Sequence, residues 1–191
     1  MNHPTREAWL EEAMSEVSME FKRLGFPLPQ KIRVTCGFPS GGTRKRPGGA
    51  VLIGECWDSS RSDDQAFEIM ISPVEDDPVR VLGTLVHELC HAAAGLKAGH
   101  LGDFATLARG MKLEGKLTAT TVGDPFKALT APALMRLGAY PHARLNVDSR
   151  TKQTTRMLKC FCSFGFSVRI TAKWLSVGVP HCPLHGAMTQ V

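Results

Sequence analysis

The chain has 191 residues, 43% of them hydrophobic and 21% charged, which is ordinary composition for one well-cored domain plus an appendage. No run approaches the roughly 18 to 20 apolar residues that span a bilayer, and the N-terminal MNHPTREAWLEEAM places carboxylates where a signal peptide needs an apolar core. The expectation is therefore a protein with no membrane partner that is not secreted, cytoplasmic or associated with DNA inside the cell, whose six cysteines are reduced thiols or metal ligands rather than a disulfide framework.

The first periodic segment is TREAWLEEAMSEVSMEFKRLG. Trp9, Ala13, Val17, Phe21 and Leu24 recur every three to four residues, with Thr5 placed to cap the start and Gly25 to stop the end, so the spacing predicts one amphipathic helix. Three strands follow, in KIRVTCGF, AVLIGECW and AFEIMIS; in the first and third, apolar residues alternate with their neighbours. PSGGTRKRPGG, between the first two strands, reads as a mobile, solvated basic loop.

A second helix begins at Asp77, with Pro78 at its first position, and runs to about Gly95 on the stripe Leu82, Leu85, Val86 and Leu89. This helix carries His87 and His91. Residues four apart lie about 40° from each other on one helix face, so both imidazoles can reach one ion. With Glu88 between them this is the H-E-x-x-H arrangement, two zinc ligands and a general base for a zinc-activated water. A catalytic zinc takes three protein ligands, and His100 is the candidate third, since Gly95 and Gly99 can turn the chain back toward the helix. Cys36, Cys56 and Cys90 read as small buried hydrophobes. Tyr140 could donate to a developing oxyanion or anchor the end of the domain.

The charge is concentrated in the last quarter. Residues 141–191 hold seven Lys/Arg and a single carboxylate, Asp148, whereas the first 140 hold sixteen Lys/Arg against seventeen Asp/Glu. The polar stretch PHARLNVDSRTKQTTR marks the change, which divides the chain into a body over 1–145, a linker over 146–157 and a small basic unit over 158–191. In that unit Cys160 and Cys162, then Cys182 and His185 (or His181 in its place), form two close pairs across a strand-rich segment. The pairs suggest a zinc ribbon holding a second, structural zinc. Phe164, Phe166, Val168 and Ile170 alternate with polar residues, so one strand face is cationic. Arg169 and Lys173 are the candidate nucleic-acid contacts there, better placed than Arg150 or Lys152 in the linker.

TLVHELCHAAAGLKAGHLGDFATLARGM resembles the active-site segment of the SprT-like metalloproteases, the family that includes the DNA–protein crosslink protease Spartan. VTCGFP, IGECW and ISP upstream and YPHARL and VRITAKWLSVGVPHCP downstream extend the likeness over most of the chain. A metzincin pattern fits less well, because eight residues rather than five separate His91 from His100. The resemblance implies an α+β, zincin-like body whose sheet of three or more strands packs on the H-E-x-x-H helix, followed by a zinc ribbon. It further implies a zinc endopeptidase acting on protein bound or crosslinked to DNA, with His87, His91 and His100 as ligands and Glu88 as the catalytic glutamate. One departure stands out: the family pattern has a cysteine just before the glycine matching Gly165, and here Phe164 takes that place. Two other functions fit the same residues: a nucleic-acid-binding zinc protein on a non-catalytic scaffold, and a general peptidase not tethered to DNA.

Overall fold

The computed structural model describes residues 3–43, 51–149 and 157–191, and the chain divides into two units, Met1–Val147 and Asp148–Val191. The tip of the basic loop (44–50) and most of the expected linker, with Arg150 and Lys152, lie outside the described residues. The class is mixed α+β. Among the described residues no helix is long and apolar enough to cross a membrane.

The first unit opens with α1 (Arg6–Arg23). Thr5 is extended and its hydroxyl accepts the Ala8 amide at 3.1 Å, satisfying one of the donors a helix start leaves unpaired. At the other end Gly25 takes φ +87°, a conformation that costs glycine nothing. Trp9, Leu10, Ala13, Val17 and Phe21 face inward; burial of each large one contributes about 1.5–3 kcal/mol.

Strands β1 (Ile32–Cys36), β2 (Gly54–Trp57) and β3 (Phe67–Ile71) form a sheet in the order β1-β3-β2, with β1 parallel and β2 antiparallel to β3. Val34, Ile69 and Ile71 point into the core, while on the other face Arg33 pairs with Asp64 and with Glu68, its register partner. β2 is therefore an edge strand. Helix α2 (Pro78–Ala94) packs against both β2 and β3, and against α1. Its cap is the expected one, with Asp77 accepting the Arg80 amide at 2.9 Å and Pro78 following.

Three elements that the spacing did not predict complete this unit. After α3 (Gly102–Gly110) come a hairpin, β4 (Leu113–Lys116) with β5 (Ala119–Val122), and then α4 (Asp124–Leu137). α4 packs on α1, where Arg136 pairs with Glu16 and the Trp9 indole N–H donates to the Gly138 carbonyl at 3.4 Å. Tyr140 is buried with its ring edge-on to Trp9 at 5.1 Å, which places it at the end of the body as an anchor.

The second unit is built on β6 (Met157–Phe161), β7 (Ser167–Thr171) and β10 (Thr189–Gln190), an antiparallel sheet in the order β10-β6-β7. The short helix α5 (Ala172–Leu175) and the two-residue strands β8 (His181–Cys182) and β9 (Gly186–Ala187) complete it. Among the described residues its buried core is Cys160, Cys162, Cys182 and Met188, backed by Val168, Ile170 and Leu175. So small a core needs a further staple, and ligand-bearing side chains are half of what it contains.

Candidate metal centre

α2 places His87 and His91 one turn apart, and Gly95 (φ +79°) then breaks the helix. A single 3-10 turn over Leu96–Ala98 and Gly99 (φ +55°) return the chain so that His100 meets the other two. The three ligand nitrogens lie within 4.8 Å of one another. That spacing fits one ion with metal–nitrogen bonds of about 2.0–2.1 Å. Phe104, fully buried on α3, backs all three rings: its centroid is 5.1 Å from His87, 4.3 Å from His91 in a stacked arrangement, and 4.9 Å from His100.

The imidazoles also have the right protonation. Burial holds His87 and His91 down to about 4, with His91 and His100 adding repulsion on His87 and His100 adding it on His91; burial also lowers His100. All three are neutral at pH 7 and offer lone pairs. Nδ1 of His87 lies 2.8 Å from Thr120 Oγ1 on β5. A proton on Nδ1 donated to that hydroxyl leaves Nε2 for a metal, the orienting role that groups around metal ligands commonly take.

Glu88 is on the same helix but outside the triad, at 6% exposure. β2 reaches it because residue 54 is glycine: a Cβ there would stand 2.5 Å from Glu88 Oε1. Burial, and then the neighbouring Glu55 carboxylate, push Glu88 up to about 8. Glu55 is held on β2 by the Ser40 amide (2.7 Å), the Ser40 hydroxyl (2.6 Å) and the Trp57 indole (3.1 Å). The value for Glu88 belongs to the metal-free site; a dication held by the three imidazoles would draw it down, toward the carboxylate that accepts a proton.

The second unit gathers another group. Ligand atoms of Cys162, Cys182 and His185 also lie within 4.8 Å of one another, with His185 Nδ1 3.6 Å from Cys162 Sγ and 3.3 Å from Cys182 Sγ. Phe164 stacks on His185 at 4.3 Å. Burial raises the Cys162 thiol, but the backbone at Phe164 and Phe166 and the Cys182 side chain more than offset it, so the net direction is downward, toward the thiolate a metal needs.

The structure does not bring Cys160 into this group. It stands inside β6, opposite Val168, fully buried in the small core, whereas Cys162 lies past the strand end at the turn through Gly165. Nor is His181 in it; that residue is exposed on β8. Metal analysis separates these roles. Cys160→Ala should keep the zinc content of the parent protein, and Cys182→Ser should lower it by one ion per chain. Loss of an ion from Cys160→Ala would return Cys160 to the ligand set.

The remaining cysteines are free thiols. Cys90 is fully buried, Cys36 and Cys56 pack partly buried against the core, and burial pushes Cys56 up to about 12. Burial raises Cys90 as well, so Cys56 and Cys90 stay in the unreactive thiol form at neutral pH. Sequence reasoning missed Thr120, Glu55 and the need for Gly54. The one available signal for the first was the β-branched run ATTV between glycines, which marks a short strand.

No family model, curated protein or solved structure matches the chain. The functional reading therefore stands on the geometry of the site and on the sequence resemblance.

Proposed function

We propose that the chain is a zinc-dependent endopeptidase with a zincin-like body. The observation that carries this is the His87–His91–His100 triad with a buried carboxylate, Glu88, beside it but outside it. A structural zinc site is normally closed by four protein ligands, and three ligands with an adjacent base are the usual form of a hydrolytic one. Zinc held there would supply Lewis acidity to a water and to a peptide carbonyl. Glu88 takes the proton of the attacking water and delivers it to the leaving amine; Thr120 keeps His87 in its ligating tautomer, and Phe104 fixes the three rings. In the second unit Cys162, Cys182 and His185 would hold a second zinc; the described residues bring it three protein ligands, and with no carboxylate in the group to serve as a base we read that ion as structural.

The substrate we assign is protein bound or crosslinked to DNA, with the basic unit as the tether. Support comes from the charge of residues 141–191 and from Arg169 and Lys173, both exposed, the latter with its ammonium 5.5 Å from the Trp174 ring centre. Incubating the zinc-loaded protein with a DNA-binding protein, with and without DNA, tests the assignment. Fragments that depend on zinc and increase with DNA are expected. Fragments indifferent to DNA would leave an untethered peptidase, and no fragments in any condition would leave a zinc scaffold.

The tether has its own test. Arg169→Ala with Lys173→Ala should weaken DNA binding to a similar degree across unrelated sequences and flatten its dependence on log salt by about two units, near one per lost phosphate contact. An unchanged slope in a salt titration would remove both residues from the interface.

A further inference from the structure

The cleft that reaches Glu88 continues well beyond it, with a volume of about 670 Å³. Its floor is the face of α2 bearing Arg80, Gly83, Thr84 and His87. These positions recur every three to four residues and so form one stripe; seven residues at 1.5 Å each make it about 10 Å long. One wall is the chain entering β2, from Val51 to Gly54, and the other is the β4–β5 hairpin. The hairpin closes on the helix because residue 83 is glycine, where a Cβ would collide with Val122.

The chemistry of the walls is one-sided. Val51, Leu52, Ile53, Leu113 and Val122 supply apolar surface, and the uncharged polar groups between them are threonines. The lining carboxylates are Glu75, already paired with Arg80 at 2.9 Å at the end away from His87, and Glu88. Glu75 already has its counter-charge in Arg80, and on the proposed mechanism Glu88 is engaged by the attacking water, so the rest of the lining offers a charged substrate side chain of either sign no partner. An extended chain advances about 3.3 Å per residue, so the stripe matches about three residues of polypeptide. Its volume lies within the range of about 300–1,000 Å³ typical of true ligand sites.

Resting on the peptidase reading above, we infer that this cleft is the specificity pocket: it takes a large aliphatic or aromatic side chain of the substrate next to the bond to be cut, between Ile53 and Val122. The substrate class is thereby narrowed to exposed or unfolded apolar segments of a protein.

The test uses quenched fluorescent peptides identical except for one residue, Gly, Leu, Phe, Lys or Glu, placed on either side of the cleaved bond. For the full-length zinc-loaded protein, kcat/KM for Leu and Phe should exceed that for Gly and Lys by about 10-fold to 200-fold, on one side of the bond only. Val122→Phe should narrow the pocket and reverse the order of the Phe and Gly peptides. Ile53→Ala, on the opposite wall and at a partly exposed position, should raise KM for the Phe peptide about 10-fold. In a second arm the same peptides, carrying a single fluorophore, are titrated by anisotropy against Glu88→Gln, which cannot turn them over. Tighter binding of Phe than of Lys is expected, by at least about 10-fold. Equal affinities would overturn the pocket assignment whether or not any peptide is cut. A binding preference for Phe with no cleavage by the parent protein would support the pocket and overturn the peptidase.

Discussion

Glu88→Gln is expected to lower peptide hydrolysis by about 100-fold to 10,000-fold and to leave the zinc content of the protein unchanged. The two halves of that result come from different atoms. The metal would be held by nitrogens of His87, His91 and His100, to which Glu88 contributes nothing. The amide of glutamine matches the carboxyl in size, so the close approach of β2 at Gly54 is preserved. What disappears is the ability to accept a proton. Steady-state kinetics with a peptide substrate, together with metal analysis of the same preparations, measures both halves. Parent-level activity in the variant under zinc-replete conditions would end the hydrolytic assignment.

The same substitution should stabilise the metal-free protein, by a margin that grows with pH. Burial, with the Glu55 charge adding repulsion, pushes Glu88 up to about 8 in the folded chain, against an ordinary 4.5. Between those values the folded state keeps a proton that the unfolded state releases, so stability is fully present below pH 4.5 and is lost as pH rises toward 8. Glutamine has no proton to release. At pH 7 the difference spans two and a half pKa units, or about 3 kcal/mol. His87 and His91 act in the opposite sense: held at about 4 by burial, they cost stability as pH falls from 6.5 toward 4. They are present in both proteins, so the comparison cancels them. Thermal melts of chelator-treated parent and Glu88→Gln from pH 4 to pH 8 should coincide at the acid end and separate toward the alkaline end. Curves that stay parallel would mean that Glu88 is ionised in the folded protein.

The sequence made visible those parts of the fold in which local chemistry and tertiary structure agree. α1 and α2 could be read because Thr5, Asp77 and Pro78 cap them in the way that isolated helices are capped, and because their apolar residues keep a 3.6-residue period. His87 and His91 could be placed together because the helix itself sets their spacing, and the two glycines made the return of His100 readable. α4 escaped notice because its inward residues are Phe126, Thr130, Ala133 and Leu137, two of them too small or polar to mark a stripe, and because Pro132 interrupts the pattern. The β4–β5 hairpin shows a similar weakness, with Leu113 its one fully inward apolar side chain. Thr120 beside His87 and Glu55 beside Glu88 are products of long-range packing that no local period encodes. Cys160 shows the converse: its spacing to Cys162 suggests a shared ligand role, yet one lies within a strand and the other on the turn after it.

Phe104 has a thermodynamic consequence for the triad it supports. A free imidazole loses rotational freedom when it bonds to an ion, at a cost of about 0.5–1.5 kcal/mol for each ordered side chain. With a fully buried ring pressed against all three imidazoles, and Thr120 on the outer side of His87, that freedom is already lost when the body folds. The ion therefore enters a socket of set shape, and its departure leaves the socket standing. A metal ion held by the triad would thus be a replaceable part, exchangeable without unfolding the protein around it.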